Sequence, residues 1–407
     1  MEVLWITPKW PLPAEDGARV ATCSLLTELS KQGVQIDLLS VTGEDEVVDR
    51  ECAQKMLGVR SCVVVRRKPG ERSLWKAARH LPSFFRAPKV PITMQRYHSI
   101  QVRRGIDRIL HGSNGGAGWD AMVYDGLHVA AHAAQGGEYA RNGFSGKIIY
   151  RAHNRESALW EQQAQEESSP LLKHFIRYQA GRVKVFEDSL ARSVDCIAAV
   201  SKQDLDLFCA IDAQVRGAVV PIGYHYPLTT PQLPRESLHL LFIGRLDWSP
   251  NRRGLEWFLS KVWPAAAKAR SEISLTIAGS GDGGWLSDHR DIPGIEIKGR
   301  VQELAPLYAA SHLCILPLFL GSGTRVKAIE AASFGRTCLS TALGVEGLPL
   351  QPAHSFLRAE SAADWIEILS SVSLEELRRL GTQAHYTLQR DFNPQRAAQS
   401  FLNLLRE

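Results

Sequence analysis

Leu240-Leu241-Phe242-Ile243-Gly244-Arg245-Leu246 runs four apolar residues into a glycine and then an arginine. A short, continuous apolar run that ends at glycine is the pattern of a strand buried on both faces, as in a parallel sheet covered by helices. Further along, Gly321-Ser322-Gly323-Thr324-Arg325-Val326-Lys327-Ala328-Ile329-Glu330-Ala331 breaks at glycine and presents cations where a helix should begin. Glycine lets a backbone approach a ligand, the free N–H groups of a helix start point outward, and Arg or Lys adds positive charge. Together these make a site for phosphate.

Strand and helix patterns alternate on both sides of these stretches, which predicts an α/β fold with parallel sheets. Strands are expected at 2–7, 34–41, 62–66, 120–124, 147–151, 196–200 and 217–221, with an amphipathic helix over 18–33. The stretch from Ser157 to Arg192 reads as helical, divided near Pro170. The Pro-rich passage from Pro221 to Pro234 is the best linker, and it separates an N-terminal domain, 1–225, from a C-terminal domain, 235–390. Beyond it the alternation resumes, with strands near 238–243, 273–278, 294–298, 312–317 and 337–341. Helical patterns at 361–371, 374–390 and 394–406 follow. Two such α/β units are expected to face a central cleft.

Composition narrows the function classes. The chain has 407 residues, 44% hydrophobic and 22% charged, as soluble globular proteins do. No apolar run reaches the roughly 18 residues of a membrane-spanning helix, and the N-terminus reads as a strand rather than a secretory signal. Seven scattered cysteines without a C-x-x-C pair argue against a disulfide framework and structural zinc, and favour a cytoplasmic location.

Individual residues carry two readings each. Arg245, beyond the end of a strand, either binds phosphate or pairs with Asp247 on the rim. Arg325 is placed in the first helical turn, where the helix dipole disfavours a cation unless an anion joins it. Glu330 either pairs with Lys327 along the helix or accepts hydrogen bonds from ribose hydroxyls. Two phosphate-type loops followed by such a carboxylate point to a nucleoside diphosphate, and a sugar nucleotide is the expected ligand. His153, in Tyr150-Arg151-Ala152-His153-Asn154-Arg155-Glu156, follows a strand and is placed to face the cleft.

The order of Gly244-Arg245, Ala278-Gly279, Gly299-Arg300-Val301, the glycine loop and the helix ending in Glu330 resembles glycosyltransferase family 4. The likeness covers nearly the whole chain: Asp16-Gly17-Ala18-Arg19 matches the N-domain glycine loop, and Asp195 through Ser201 the segment before the linker. It implies the GT-B fold, two Rossmann-like domains, with a C-terminal helix at 391–407 packing back toward the N-terminal one. It also implies a retaining hexosyltransferase that takes a nucleoside diphosphate sugar as co-substrate and needs neither cofactor nor metal.

By the same resemblance Arg245 and Lys327 hold the diphosphate, helped by Arg325. Glu330 binds the ribose, the backbone at Arg300 and Val301 meets the base, Gly17 lies under the donor near the acceptor, and Gly244 belongs to the donor-binding set. Ser322, Gly323 and Thr324 form the loop around the donor, and His153 reaches the sugar. Ser322 departs from the family's usual first glutamate. Asn251, Arg252 and Arg253 stand where the family places a lysine, so that Arg253 or Arg325 would supply the second charge.

Between Arg60 and Arg108 thirteen Lys or Arg face two acids. Arg66, Arg67, Lys68, Trp75, Lys76, Arg79, Phe84 and Phe85, together with Arg19, are candidates for contact with the acceptor or with an anionic membrane surface. A solvated helix–loop with inward aromatics is the plainer reading. The expected acceptor is a glycan or a lipid-linked intermediate of polysaccharide or lipopolysaccharide assembly, with the protein peripheral at the inner face of the cytoplasmic membrane. Rival readings are a sugar-nucleotide epimerase or hydrolase of the same fold, or a nucleic-acid-binding protein using the basic face. No nucleic-acid motif accompanies that face, and none is expected as a partner.

Overall fold

A computed structural model describes residues 1–14, 17–44, 46–67, 90–110, 118–135, 138–141, 143–167, 169–224, 237–289, 291–319 and 325–407. The chain divides into two compact units, one formed by Met1–Gly223 with Pro394–Glu407, the other by Tyr224–Asn393.

The first unit is built on seven strands: β1 Glu2–Thr7, β2 Gln35–Gly43, β3 Ser61–Arg67, β4 Ala121–Asp125, β7 Lys147–Ala152, β8 Cys196–Ala199 and β9 Gly217–Val219. They are all parallel in the order β3-β2-β1-β4-β7-β8-β9. Between β4 and β7 a short antiparallel ladder joins β5 (Ala134–Gln135) to β6 (Glu138–Tyr139), an element without a sequence signal. β1 shows why apolar runs make such sheets. Val3, Leu4, Trp5 and Ile6 are all buried, with Leu4 and Ile6 in the hydrophobic cluster on one face and Val3 and Trp5 in that on the other. The helix Pro394–Arg406 closes this unit: Phe401 lies 5.3 Å from the Trp5 ring, and Lys147 Nζ donates to the Leu404 carbonyl at 3.0 Å.

The second unit has six parallel strands: β10 His239–Ile243, β11 Ser274–Ala278, β12 Ile295–Gly299, β13 Leu313–Leu316, β14 Thr337–Ser340 and β15 Leu357–Arg358. Their order is β12-β11-β10-β13-β14-β15. Each face carries its own apolar cluster, with Trp263 and Trp365 in one and Tyr308, Ile329 and Leu388 in the other. Both halves are therefore Rossmann-like with parallel sheets, as the alternation of elements predicted, and the architecture is GT-B, as the family resemblance implied. Among the described residues no helix is long and apolar enough to cross a membrane.

In each sheet the strand order reverses once, between β1 and β4 in the first unit and between β10 and β13 in the second. Loops leaving adjacent strands at such a point run to opposite faces of the sheet, and the gap between them is where open α/β sheets accept ligands. Both clusters described next lie at these two points.

Candidate active site

In the second unit the polar cluster at the reversal of strand order is built around Lys327. This residue lies in the first turn of the helix Val326–Ser333, which follows β13. Its Nζ donates to Asn251 Oδ1 and stands 5.0 Å from the centre of the Phe242 ring. Gly244, at the end of β10, leaves the room for it. A Cβ there would collide with the Lys327 ammonium and lie 2.7 Å from its Cε and 2.8 Å from Asn251 Nδ2. Burial without a carboxylate contact pushes the Lys327 pKa down to about 7, against a weaker upward pull from Glu330. Such a lysine gains its full charge when an anion arrives.

Asn251 is the residue that the sequence reading undervalued. It is 2% exposed on the helix Ser249–Trp257, and its Nδ2 donates to the Arg245 carbonyl at 2.8 Å. One side chain thus ties the loop after β10 to the ammonium from the facing helix. Gly254 allows this helix to sit close, since a Cβ there would strike the Pro317 carbonyl. Arg252 pairs with Glu256 at 2.7 Å, and Arg253 is exposed. Of the three residues at this step only Asn251 is turned inward. The signal available was spacing: Asn251 precedes buried Leu255 by one helical turn, on the inward face.

Glu330 does not pair with Lys327. Its Oε1 accepts from Tyr224 Oη at 2.9 Å and its Oε2 from Tyr308 Oη at 3.1 Å. Burial raises its pKa, and the two phenols and Lys327 oppose the rise.

Arg325 is not in the first turn, as expected from sequence, but at the position preceding the helix. It is 5% exposed, and its Nη2 meets Glu346 Oε2 at 3.2 Å. Glu346, a carboxylate of the same chain, thus offsets the Arg325 charge at the helix start. Arg245 adopts the rim arrangement: its exposed guanidinium meets Asp247 at 2.7 Å, while its carbonyl belongs to the Asn251 contact. Arg300 and Val301 follow the edge strand β12, after Gly299 with φ of 64°. Ser322, Gly323 and Thr324 lie outside the described residues.

The first unit has its own polar centre, on Asp125 at the end of β4. Asp125 Oδ1 lies 2.7 Å from both Arg151 Nη1 and His153 Nε2. Its Oδ2 accepts from Thr22 Oγ1 at 2.6 Å and from Trp5 Nε1 at 3.0 Å. Burial alone would raise its pKa, but Arg151 and His153 outweigh that and hold the carboxyl well below the usual range. His153 is thus anchored through one ring nitrogen, with its side chain 17% exposed. The sequence singles out His153 but not its partner Asp125, whose Tyr124-Asp125-Gly126 setting resembles any strand end. Arg155 turns to Glu187 at 3.2 Å and to Asp188, while Glu156, beside Glu187 and Asp204, is raised by burial to about 7.

Gly17 opens the helix Gly17–Lys31. Arg19 is committed to the Trp10 carbonyl at 2.8 Å and to Glu46, and Arg66 to the carbonyls of Gly43 and Glu46 at 2.7 and 2.8 Å. These two candidates for acceptor or membrane contact hold loops together. Arg67 stacks over Tyr97, 5.1 Å from its ring centre. Lys68, Trp75, Lys76, Arg79, Phe84 and Phe85 lie outside the described residues.

Residues 237–372 match the family model "Glycosyl transferases group 1". The chain is 24% identical over 356 residues to an uncharacterized 44.6 kDa protein in the cps region of Klebsiella pneumoniae, covering 85% of this chain and 84% of that one. Its fold is similar to that of sucrose-phosphate synthase from Thermosynechococcus elongatus, with TM-score 0.67, 17% identity, and coverage of 100% of this chain and 98% of the other. HepE of Anabaena, solved in complex with UDP and glucose, aligns with TM-score 0.63, 12% identity, and coverage of 100% and 99%. The family match on the second unit and the GT-B fold together make this protein a glycosyltransferase.

Proposed function

We propose that the protein moves a hexosyl group from a nucleoside diphosphate sugar to an acceptor hydroxyl, with retention at the anomeric carbon and without a metal. One observation carries this reading: a partly buried ammonium, Lys327, held by Asn251 over the gap left by Gly244, one turn from a carboxylate fixed by two phenols. Cleavage of the sugar–phosphate bond leaves charge on the β-phosphate, and a fixed cation stabilises that charge as it develops. Lys327 supplies the cation, Arg245 joins it from the rim on leaving Asp247, and Glu330 takes the ribose. Retention follows if the departing phosphate, on the same face of the sugar, accepts the acceptor's proton. His153, oriented by Asp125, meets the sugar.

The acceptor is proposed to be a lipid-linked or polysaccharide intermediate reached at an anionic membrane surface. The basic stretch from Arg60 to Arg108 supports this, as does the likeness to a protein from a cps region. UDP is the first diphosphate to try, because a structural neighbour holds it.

The deciding experiment is a thermal-shift panel of UDP-, GDP- and ADP-sugars with and without chelator, repeated on Glu330→Ala. One nucleotide class should stabilise the wild type in the presence of chelator and lose most of that effect in the variant. Transfer products from that donor should keep the donor's anomeric configuration by NMR. Absence of any nucleotide response, or an inverted product, refutes the reading it tests.

A further inference from the structure

Glu330 is held more firmly than a ribose ligand on a helix needs to be. Each oxygen of a carboxylate offers two lone-pair directions. Here each oxygen already accepts one phenol, Tyr224 at 2.9 Å on Oε1 and Tyr308 at 3.1 Å on Oε2. One acceptor direction per oxygen remains, and because both phenols are in place the carboxylate plane cannot turn. What is left is a rigid fork of two acceptors, matched to two neighbouring hydroxyl donors such as a vicinal diol.

The phenols are themselves locked. Tyr308 is 2% exposed, on the helix Ala305–Ala309, and its ring stacks on Phe334 with centroids 4.5 Å apart and planes within 9°. Phe334 directly follows the helix that carries Glu330. The Tyr308 carbonyl accepts from Arg336 Nε at 2.7 Å, which pins its backbone as well. Tyr224 is fixed at its main chain, where its N–H donates to the Phe392 carbonyl at 3.1 Å. Burial keeps both hydroxyls protonated, so that each acts as a donor. Lys327, which could have drawn the carboxylate aside, is instead engaged by Asn251.

We infer that Tyr224 and Tyr308 are positioning residues that orient the Glu330 carboxylate as a two-acceptor fork, so that selection of ribose over deoxyribose in the donor nucleotide depends on these two phenols. The inference rests on the reading above that Glu330 receives the ribose. Neither tyrosine belongs to the loops or the helix that suggested a nucleotide in the sequence.

The test compares UDP with 2′-deoxy-UDP, and likewise the GDP and ADP pairs, by calorimetric titration of wild type, Tyr224→Phe, Tyr308→Phe and Glu330→Gln. A hydrogen bond to a charged group is worth enough to give the wild type a preference of about tenfold or more for the ribonucleotide. Each Phe variant should cut that preference to about threefold or less, and Glu330→Gln should remove it. A second readout separates orientation from mere folding. Loss of one phenol donor raises the Glu330 pKa, so the acidic limb of the affinity profile should move to higher pH in the Phe variants, with melting temperature little changed.

Phe variants that keep both the wild-type preference and the wild-type pH profile overturn the inference while leaving the ribose role of Glu330 intact. A wild type without preference, or a Glu330→Gln variant that retains it, overturns that role and the inference with it. Should Tyr308→Phe fail to fold, Tyr224→Phe carries the test alone.

Discussion

Replacing Lys327 with Met should strengthen the folded protein and abolish its response to a nucleoside diphosphate. The ammonium sits between the Phe242 ring, Asn251 and Gly244, and burial brings its pKa from 10.5 to about 7. A folded-state value below the unfolded one means that the unfolded chain binds more protons. The penalty is therefore complete below about pH 7 and fades as pH rises toward 10.5. At about 1.4 kcal/mol for each tenfold change in proton affinity, it amounts to roughly 4 kcal/mol at neutral pH. Met keeps the apolar stem but leaves Asn251 Oδ1 without its donor, at a cost of about 1–3 kcal/mol. The expected net gain is roughly 1–3 kcal/mol near pH 7, turning into a net loss of about 1–3 kcal/mol at strongly alkaline pH, where only the Asn251 cost remains. Urea unfolding of the full chain at about pH 7 and pH 9.5, with and without UDP, measures both effects. A bound diphosphate restores the charged lysine, so wild-type binding takes up a proton and weakens as pH rises above neutral. A Met variant less stable than wild type at pH 7 refutes the burial reasoning, and one that UDP stabilises as well as wild type refutes the phosphate role.

Gly244→Ala places a methyl where the Lys327 ammonium lies, so Lys327 must leave Asn251. Overpacking should cost about 1–3 kcal/mol, and UDP binding should fall as far as in Lys327→Met; unchanged binding by titration would count against the role given to that gap. Asp125→Asn strips the counter-charge from Arg151 inside the first unit, and urea unfolding should show a loss of about 3–5 kcal/mol. Because the Asp125 carboxyl lies below its ordinary range, the stability it contributes is complete above the unfolded value of about pH 4 and is lost as pH falls through the folded one. Stability of the wild type should thus decline more steeply below pH 4 than that of the variant; parallel acid profiles would show that Asp125 is not the group responsible.

Much of the fold was legible because its causes are local. A short apolar run that ends at glycine, such as Leu240–Ile243, favours a strand covered on both sides, and Pro170, whose fixed φ and missing N–H suit a first helical position, opens the helix Pro170–Ser193. β15 was missed because two residues, Leu357 and Arg358, carry no period, and the β5–β6 ladder for the same reason. Helix starts are set by the local backbone, yet Arg325 was misplaced by one position: the Val326–Ser333 helix begins just after it, and the contact with Glu346 is non-local.

The kinds of residue at the site, a lysine, a carboxylate and a histidine beside glycines, could be named from the chain alone, since chemistry follows from residue type. Their partners could not. Asn251 lies 76 positions from Lys327, Tyr224 lies 106 from Glu330, and Trp5 lies 120 from Asp125. The reversals of strand order between β10 and β13 and between β1 and β4 set loops from distant segments side by side. Periodicity and turn chemistry act within a few residues and so determine which elements form. Which donor meets which acceptor depends on how the sheets order those elements, and tertiary packing alone decided it.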